Sequence, residues 1–249
     1  RLQADSPYRG RGPAGTDLGA LPYNPDMLFV GPDGNDANDG LCAARAFATI
    51  GRALSIARPG ITIYILPGDY NETLRLAVSG SEDKPIFIRG HGKNTMPRVS
   101  GIDLVECSHI QIENLHVTGP ARIQQADNIR LEQCFLTNIA EEGISVIDTT
   151  RIWLRRLTAW NIGGPAVSVK GRCPGLRITS SVLNCQSGPP LRIEGPTDRD
   201  MFREYNNYVV IANQPLAIIG DQTIMDMTSL AGRAQGDRYS ISANPQFND

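Results

Sequence analysis

The chain has 249 residues, 41% of them hydrophobic and 20% charged, which is enough apolar material for one large domain with a substantial core. Its 24 basic and 26 acidic side chains leave a formal net charge of -2 with no basic run, which excludes a dedicated nucleic-acid-binding domain. No run of 18 apolar residues occurs, so no membrane-spanning helix is expected.

Residues 1–27 are rich in Arg, Gly, Pro and Asp and lack periodicity. Leu28–Val30 reads as a short strand, and the loop Asp33-Gly-Asn-Asp-Ala-Asn-Asp39 follows it. Within that loop Asp33, Asn35, Asp36 and Asp39 offer two readings. They could supply the oxygen ligands that Ca²⁺ takes from a flexible loop. Asx turns need the same composition, and Ala37 stands where a ligand would be wanted. No other cofactor is expected. A helix is predicted over 49–57, with Phe47, Ile50, Ala53, Leu54 and Ala57 at a 3.6-residue spacing, Thr49 as N-cap and Pro59-Gly60 as the stop.

Residues 61–220 are strand-like throughout and carry a repeat. With Ile110, Ile129, Ile152 and Leu176 aligned as position zero, position two is Ile112, Leu131, Leu154 and Ile178. Position five is Leu115, Cys134, Leu157 and Ser181, and position seven is Val117, Leu136, Ala159 and Leu183. A second strand recurs in each period, at Ile144/Val146, Val167/Val169, Leu191/Ile193 and Leu216/Ile218. Alternation places positions zero and two on one face, and the odd step from two to five requires a bend. Repeats this short cannot bury their apolar side alone and must stack on one another. The expected fold is therefore an all-β parallel β-helix, a single-stranded solenoid of roughly seven coils and about 34 Å, with the helix as a short N-terminal cap. Residues 221–249 read as an irregular section, with Met225, Met227 and Leu230 as a short turn or helix. Asn138 and Asn161 share position nine and suggest an inward ladder of amides. The odd number of cysteines leaves at least one without an internal partner, and Cys134 reads as a small buried hydrophobe.

Three stretches together resemble the opening of bacterial right-handed parallel β-helix domains of the pectate-lyase-like superfamily. They are Leu28-Phe-Val-Gly-Pro-Asp-Gly-Asn-Asp-Ala-Asn-Asp-Gly-Leu41, Phe47-Ala-Thr-Ile-Gly-Arg-Ala-Leu54 and Pro59-Gly-Ile-Thr-Ile-Tyr-Ile-Leu-Pro-Gly-Asp-Tyr70. Lys84-Pro-Ile-Phe-Ile-Arg-Gly90 looks like the usual next coil. The resemblance implies a β-helix domain over 28–249, of bacterial surface or secreted type, hence extracellular. It also implies that 1–27 resembles the closing segment of a preceding domain of the same kind. On that reading Arg1, Leu2, Tyr8, Arg9, Leu18, Leu21, Tyr23 and Phe247 form an end-on joint between copies.

Function divides three ways. The leading expectation is an extracellular structural module that associates head to tail into a filament, and it leans away from an enzyme. The alternative is a polysaccharide lyase, which needs a base and a cation to hold a uronate carboxylate; Asp148, Lys170, Arg172 and Arg192 are its candidates. The third is passive binding of an acidic glycan through Trp153, Arg155, Lys170, Arg172, Arg192 and Glu194. A groove of converging Lys, Arg and carboxylate groups along the second-strand face would favour the lyase.

Overall fold

The computed structural model describes residue 6 and residues 26–92, 95–196, 201–211, 213–232, 237 and 239–244. Strand β1 (Met27–Val30) is followed by α1 (Ile50–Ser55), with Ile50 and Ala53 turned into the core. The helix stops short of the predicted 49–57 because Ile56 has left helical geometry before Pro59 is reached. Thr49 is its N-cap, accepting the Arg52 amide at 3.1 Å. A further cap comes from the first coil, where the Glu72 carboxylate accepts the Ile50 and Gly51 amides at 2.9 and 2.8 Å.

Seven coils follow among the described residues. The first two are β2 (Thr62–Ile65) with β3 (Asp69–Arg75), and β4 (Ile86–Gly90) with β5 (Arg98–Val105). The third is β6 (Ser108–Glu113), β7 (His116–Val117) and β8 (Ala121–Gln124); the fourth is β9 (Asp127–Glu132), β10 (Phe135–Ile139) and β11 (Ile144–Ile147). The fifth is β12 (Thr150–Arg155), β13 (Thr158–Ile162) and β14 (Val167–Lys170), and the sixth β15 (Arg177–Thr179), β16 (Val182–Cys185) and β17 (Leu191–Glu194). The last is β18 (Phe202–Glu204), β19 (Asn207–Val209) and β20 (Ala217–Ile219), against which β21 (Gln222–Ile224) pairs antiparallel; α2 (Met227–Ala231) follows, with Leu230 buried. Every other pairing is parallel and joins one coil to the next, so the chain winds as a right-handed β-helix.

Three faces run along the rod. The first holds β1, β2, β4, β6, β9, β12, β15 and β18. The second starts from the early residues of β3 and β5 and continues through β7, β10, β13, β16 and β19. The third starts from their later residues and continues through β8, β11, β14, β17 and β20. The aliphatic repeat lies inside. Ile129 sits directly on Ile152 and Leu131 on Leu154, all of them buried, with Leu176 buried in the next layer. The odd step in the repeat is a corner made by one left-handed residue at position four: Asn114, Gln133, Arg156, Ser180 and Tyr205 all have φ between 51° and 59°.

Two polar features differ from the expectation. Asn138 and Asn161 are bonded to each other at 2.6 Å, but both adopt positive φ and the ladder lies on the outside rather than inside. A register shift in β13 puts Cys185 opposite Ile162 and brings Asn184 to the ladder instead. All five cysteines are free. Cys134 is buried in the ladder, and desolvation pushes its thiol up to about 12.

The C-terminal end is closed by polar groups. The ladder Leu131, Leu154, Ile178 ends on Arg203, and the ladder Leu136, Ala159, Leu183 ends on Tyr208. Both side chains are fully buried, and Asp237 joins them. It accepts from Arg203 Nε at 2.9 Å and from Tyr208 Oη at 2.7 Å, while the chain around Ser240 and Ile241 pairs with Asn206 and Asn207.

Candidate functional site

A groove of about 330 Å³ opens on the third face. Its floor is a row of outward positions in strict register: Arg75 opposite Asp103, Asp103 opposite Arg122, and Arg122 opposite Ser145. Thr73 and Pro120 flank that row, and Glu141 and Glu142 line the groove as well. The wall has a simple origin in chain length. β3 and β5 pass from the second face to the third without a break, whereas the fourth coil inserts residues 140–143 between β10 and β11. That four-residue connection, one residue longer than 118–120 in the coil before, brings Glu141 and Glu142 to the groove.

Asp103 is shared by two arginines, Arg122 Nε at 2.8 Å and Arg75 Nε at 3.4 Å. The hydrogen bond from Arg122 is the largest influence on Asp103 and, with Arg75, holds its carboxyl below the usual carboxylate range against a smaller opposing effect of burial. One carboxylate between two guanidiniums leaves a surplus positive charge at the floor. Glu142 is tied to Lys170 Nζ at 3.0 Å, while the carboxylate of exposed Glu141 has no hydrogen bond or ion pair among the described residues. The groove can therefore hold an acidic group on Arg75 and Arg122 and present a free carboxylate at its edge.

The sequence-derived candidates do not gather into one site. Lys170, Arg192 and Glu194 do lie on the third face, but Lys170 pairs with Glu142 and Arg192 with Glu194 at 2.6 Å. Asp148 and Arg172 belong to a corner between coils, where the Asp148 carboxylate accepts the Arg172 amide at 3.0 Å. Gly171 is needed there: its φ is +71°, and a Cβ would come within 2.1 Å of Asp148 Oδ1. Trp153 and Arg155 sit on the first face, with Arg155 beside Glu132 at 3.6 Å. Arg1, Leu2, Tyr8, Arg9, Leu18, Leu21, Tyr23 and Phe247 lie outside the described residues. His116 Nε2 lies 2.7 Å from Thr137 Oγ1 on the second face, where burial and then Arg98 hold its ring below the usual imidazole range.

Of the two readings of the acidic loop, the structure shows its side chains bonded to the chain itself. Asp36 accepts the Ala48 and Thr49 amides and the Thr49 hydroxyl, Asn35 the Ala37 amide, and Asp39 the Leu41 amide and Arg45. No group of three or more His, Cys, Asp or Glu among the described residues is placed to hold a metal.

Arg75, Asp103 and Arg122 lie in coils before Ile144, ahead of the clear second-strand repeat that starts there. Extended backward through Ala121/Ile123, Ile102/Leu104 and Leu74, it marks these three as equivalent outward positions.

No family model matches this chain. A curated relative, the uncharacterized protein YwoF of Bacillus subtilis (strain 168), is 34% identical over 95 residues, which is 36% of this chain and 20% of that protein. Among solved structures, a rhamnogalacturonan lyase aligns at 14% identity over 88% of this chain and 62% of its own, with a TM-score of 0.40. Pectate lyase Pel9A aligns at 12% over 78% and 57%, with a TM-score of 0.46. An alginate lyase from Paenibacillus sp. str. FPU-7 aligns at 12% over 77% and 95%, with a TM-score of 0.41. The chain is a right-handed parallel β-helix resembling the pectate-lyase-like folds. It spans a fifth of the curated relative and about three fifths of the first of these structures. These three structures are lyases by name, which runs against the expectation that leans away from an enzyme. No helix among the described residues is long and apolar enough to cross a membrane.

Proposed function

We propose that this β-helix is an extracellular carbohydrate-active enzyme that cleaves an acidic polysaccharide by elimination in the third-face groove. The observation that carries the reading is the convergence of Arg75 and Arg122 on one carboxylate, Asp103, beside the unpaired Glu141. Arg75 and Arg122 hold the uronate carboxylate and stabilise the charge that builds when the neighbouring carbon loses its proton. Glu141 takes that proton, the carbon–oxygen bond to the departing sugar breaks, and a double bond forms in the sugar left behind. Water supplies the proton to the departing oxygen.

The test is a turnover assay on pectate, alginate and glycosaminoglycans, followed through the absorbance of the unsaturated uronate. Wild type is expected to turn over one of them and Arg122→Ala to lose about a hundredfold in rate. Binding without any turnover would instead make the groove a passive glycan site and overturn the enzymatic reading.

A second reading concerns self-association. Tyr205 and Tyr239 stack at 5.0 Å and 10° on the last coil and stay 58% and 61% exposed, with Ile241 55% exposed beside them. That patch favours end-on contact with a second copy, in which residues 1–23 of one chain cover the end of another. Sedimentation at high concentration is expected to show oligomers for the full chain and monomers for Tyr205→Ala and for a chain lacking residues 1–23. Monomers in all three samples would remove the joint.

A further inference from the structure

The first face carries a second feature that the groove does not use. Arg130, Trp153, Arg177 and Phe202 occupy outward positions of β9, β12, β15 and β18, each opposite the next. The Arg130 guanidinium lies 4.0 Å from the centroid of the Trp153 ring, and Arg177 lies 5.4 Å from that ring and 5.6 Å from Phe202. Neighbouring arginines on this face are matched with acids: Arg89 with Glu113, Arg151 with Asp127, and Arg155 and Arg156 with Glu132. Arg130 and Arg177 have no acidic partner among the described residues, and the buried Nε of Arg130 has no acceptor.

Stacking engages the flat face of a guanidinium and leaves its N–H edge free, so each arginine still offers a planar fork of donors. The two forks stand two coils apart, about 10 Å at the strand spacing of a sheet. Beside Arg177 is a hollow of about 180 Å³ lined by Trp153, Leu154, Arg155, Arg177, Thr179 and Phe202. The neighbouring row holds Glu113, Glu132, Arg155, Thr179 and Glu204, with Glu113 and Glu132 already paired to arginines, so Arg130 and Arg177 are the cations of this face left, among the described residues, for an acidic ligand.

We propose that Arg130 and Arg177, stacked about Trp153, form a second binding site for an acidic polysaccharide, gripping two carboxylates two coils apart with a sugar seated in the hollow beside Arg177 and Phe202. The ligand class rests on the function proposed above, but the face is different and no residue is shared with the groove.

The experiment uses the Trp160→Phe background, which leaves Trp153 as the sole tryptophan reporter. Polygalacturonate or alginate is titrated while fluorescence and turnover are both measured. Quenching is expected, with affinity falling about tenfold for Arg130→Gln or Arg177→Gln and about a hundredfold for both. Arg122→Ala is expected to keep the quenching and lose turnover, which separates the two sites. Unaltered affinity in the double variant, with a melting temperature matching the parent, would overturn the first-face site while leaving the groove intact. Tighter binding of single-stranded nucleic acid than of either polyuronate would overturn it as well.

Discussion

Asp237→Ala is expected to lower stability by about 3–5 kcal/mol, the usual cost of leaving one partner of a buried ion pair alone. Arg203 is fully buried at the end of an aliphatic ladder, directly on Ile178, and Asp237 is the carboxylate that neutralises it. The same carboxylate accepts the Tyr208 hydroxyl and the Ser240 hydroxyl, so its loss orphans several donors at once. A solenoid is held by contacts between adjacent repeats, and the damage should therefore begin locally. Hydrogen exchange is expected to rise first over residues 201–219, with the urea midpoint falling as well. Asp237→Ala within about 1 kcal/mol of wild type would show that the polar cluster is not what closes this end.

Ile152→Ala is expected to cost about 2–5 kcal/mol through the middle of the rod. Ile152 has no exposed surface and sits on Ile129 in the coil before, with Leu176 buried in the coil after it. Removing its outer carbons leaves a void that neighbours cannot fill, because the strand spacing holds the layers apart. Ile56→Ala is the control: Ile56 follows α1 and is 40% exposed, so its truncation should stay within about 0.5 kcal/mol. Chemical denaturation of both variants decides the matter, and equal midpoints would refute the stacked interior.

The two ends of the rod were not equally legible. α1 announces itself through Thr49, the spacing of Ile50 and Ala53, and Pro59, all within a dozen residues. The opposite cap is built from Arg203, Tyr208 and Asp237, which are up to 34 residues apart and would each read as surface groups. Their burial follows from position in the ladder, and the ladder pattern breaks where they occur. The Glu72 cap on α1 was hidden for the same reason: the carboxylate is 22 residues from the amide it accepts.

The functional residues show the same division. Trp153 was legible as outward-facing because it lies between Ile152 and Leu154, yet its sandwich between Arg130 and Arg177 depends on the alignment of three coils. Of the residues that period alone groups on one face, Lys170, Arg192 and Glu194 lie there while Arg172 lies at a corner, and their ion pairs depend on side-chain reach.

Local alternation and a steady repeat length were enough to determine the winding, the inward ladders and the N-terminal helix, since each is a matter of neighbours in sequence and of faces set by the pleat. Tertiary structure alone decided where a groove opens and which charges share it. Whether Glu141 and Glu142 share a groove with Asp103 depends on how the connections of successive coils align, and whether Asp103 is held by Arg75 and Arg122 depends on register across three strands. Charge pairing across stacked coils is a long-range property, and periodicity within one coil does not carry it.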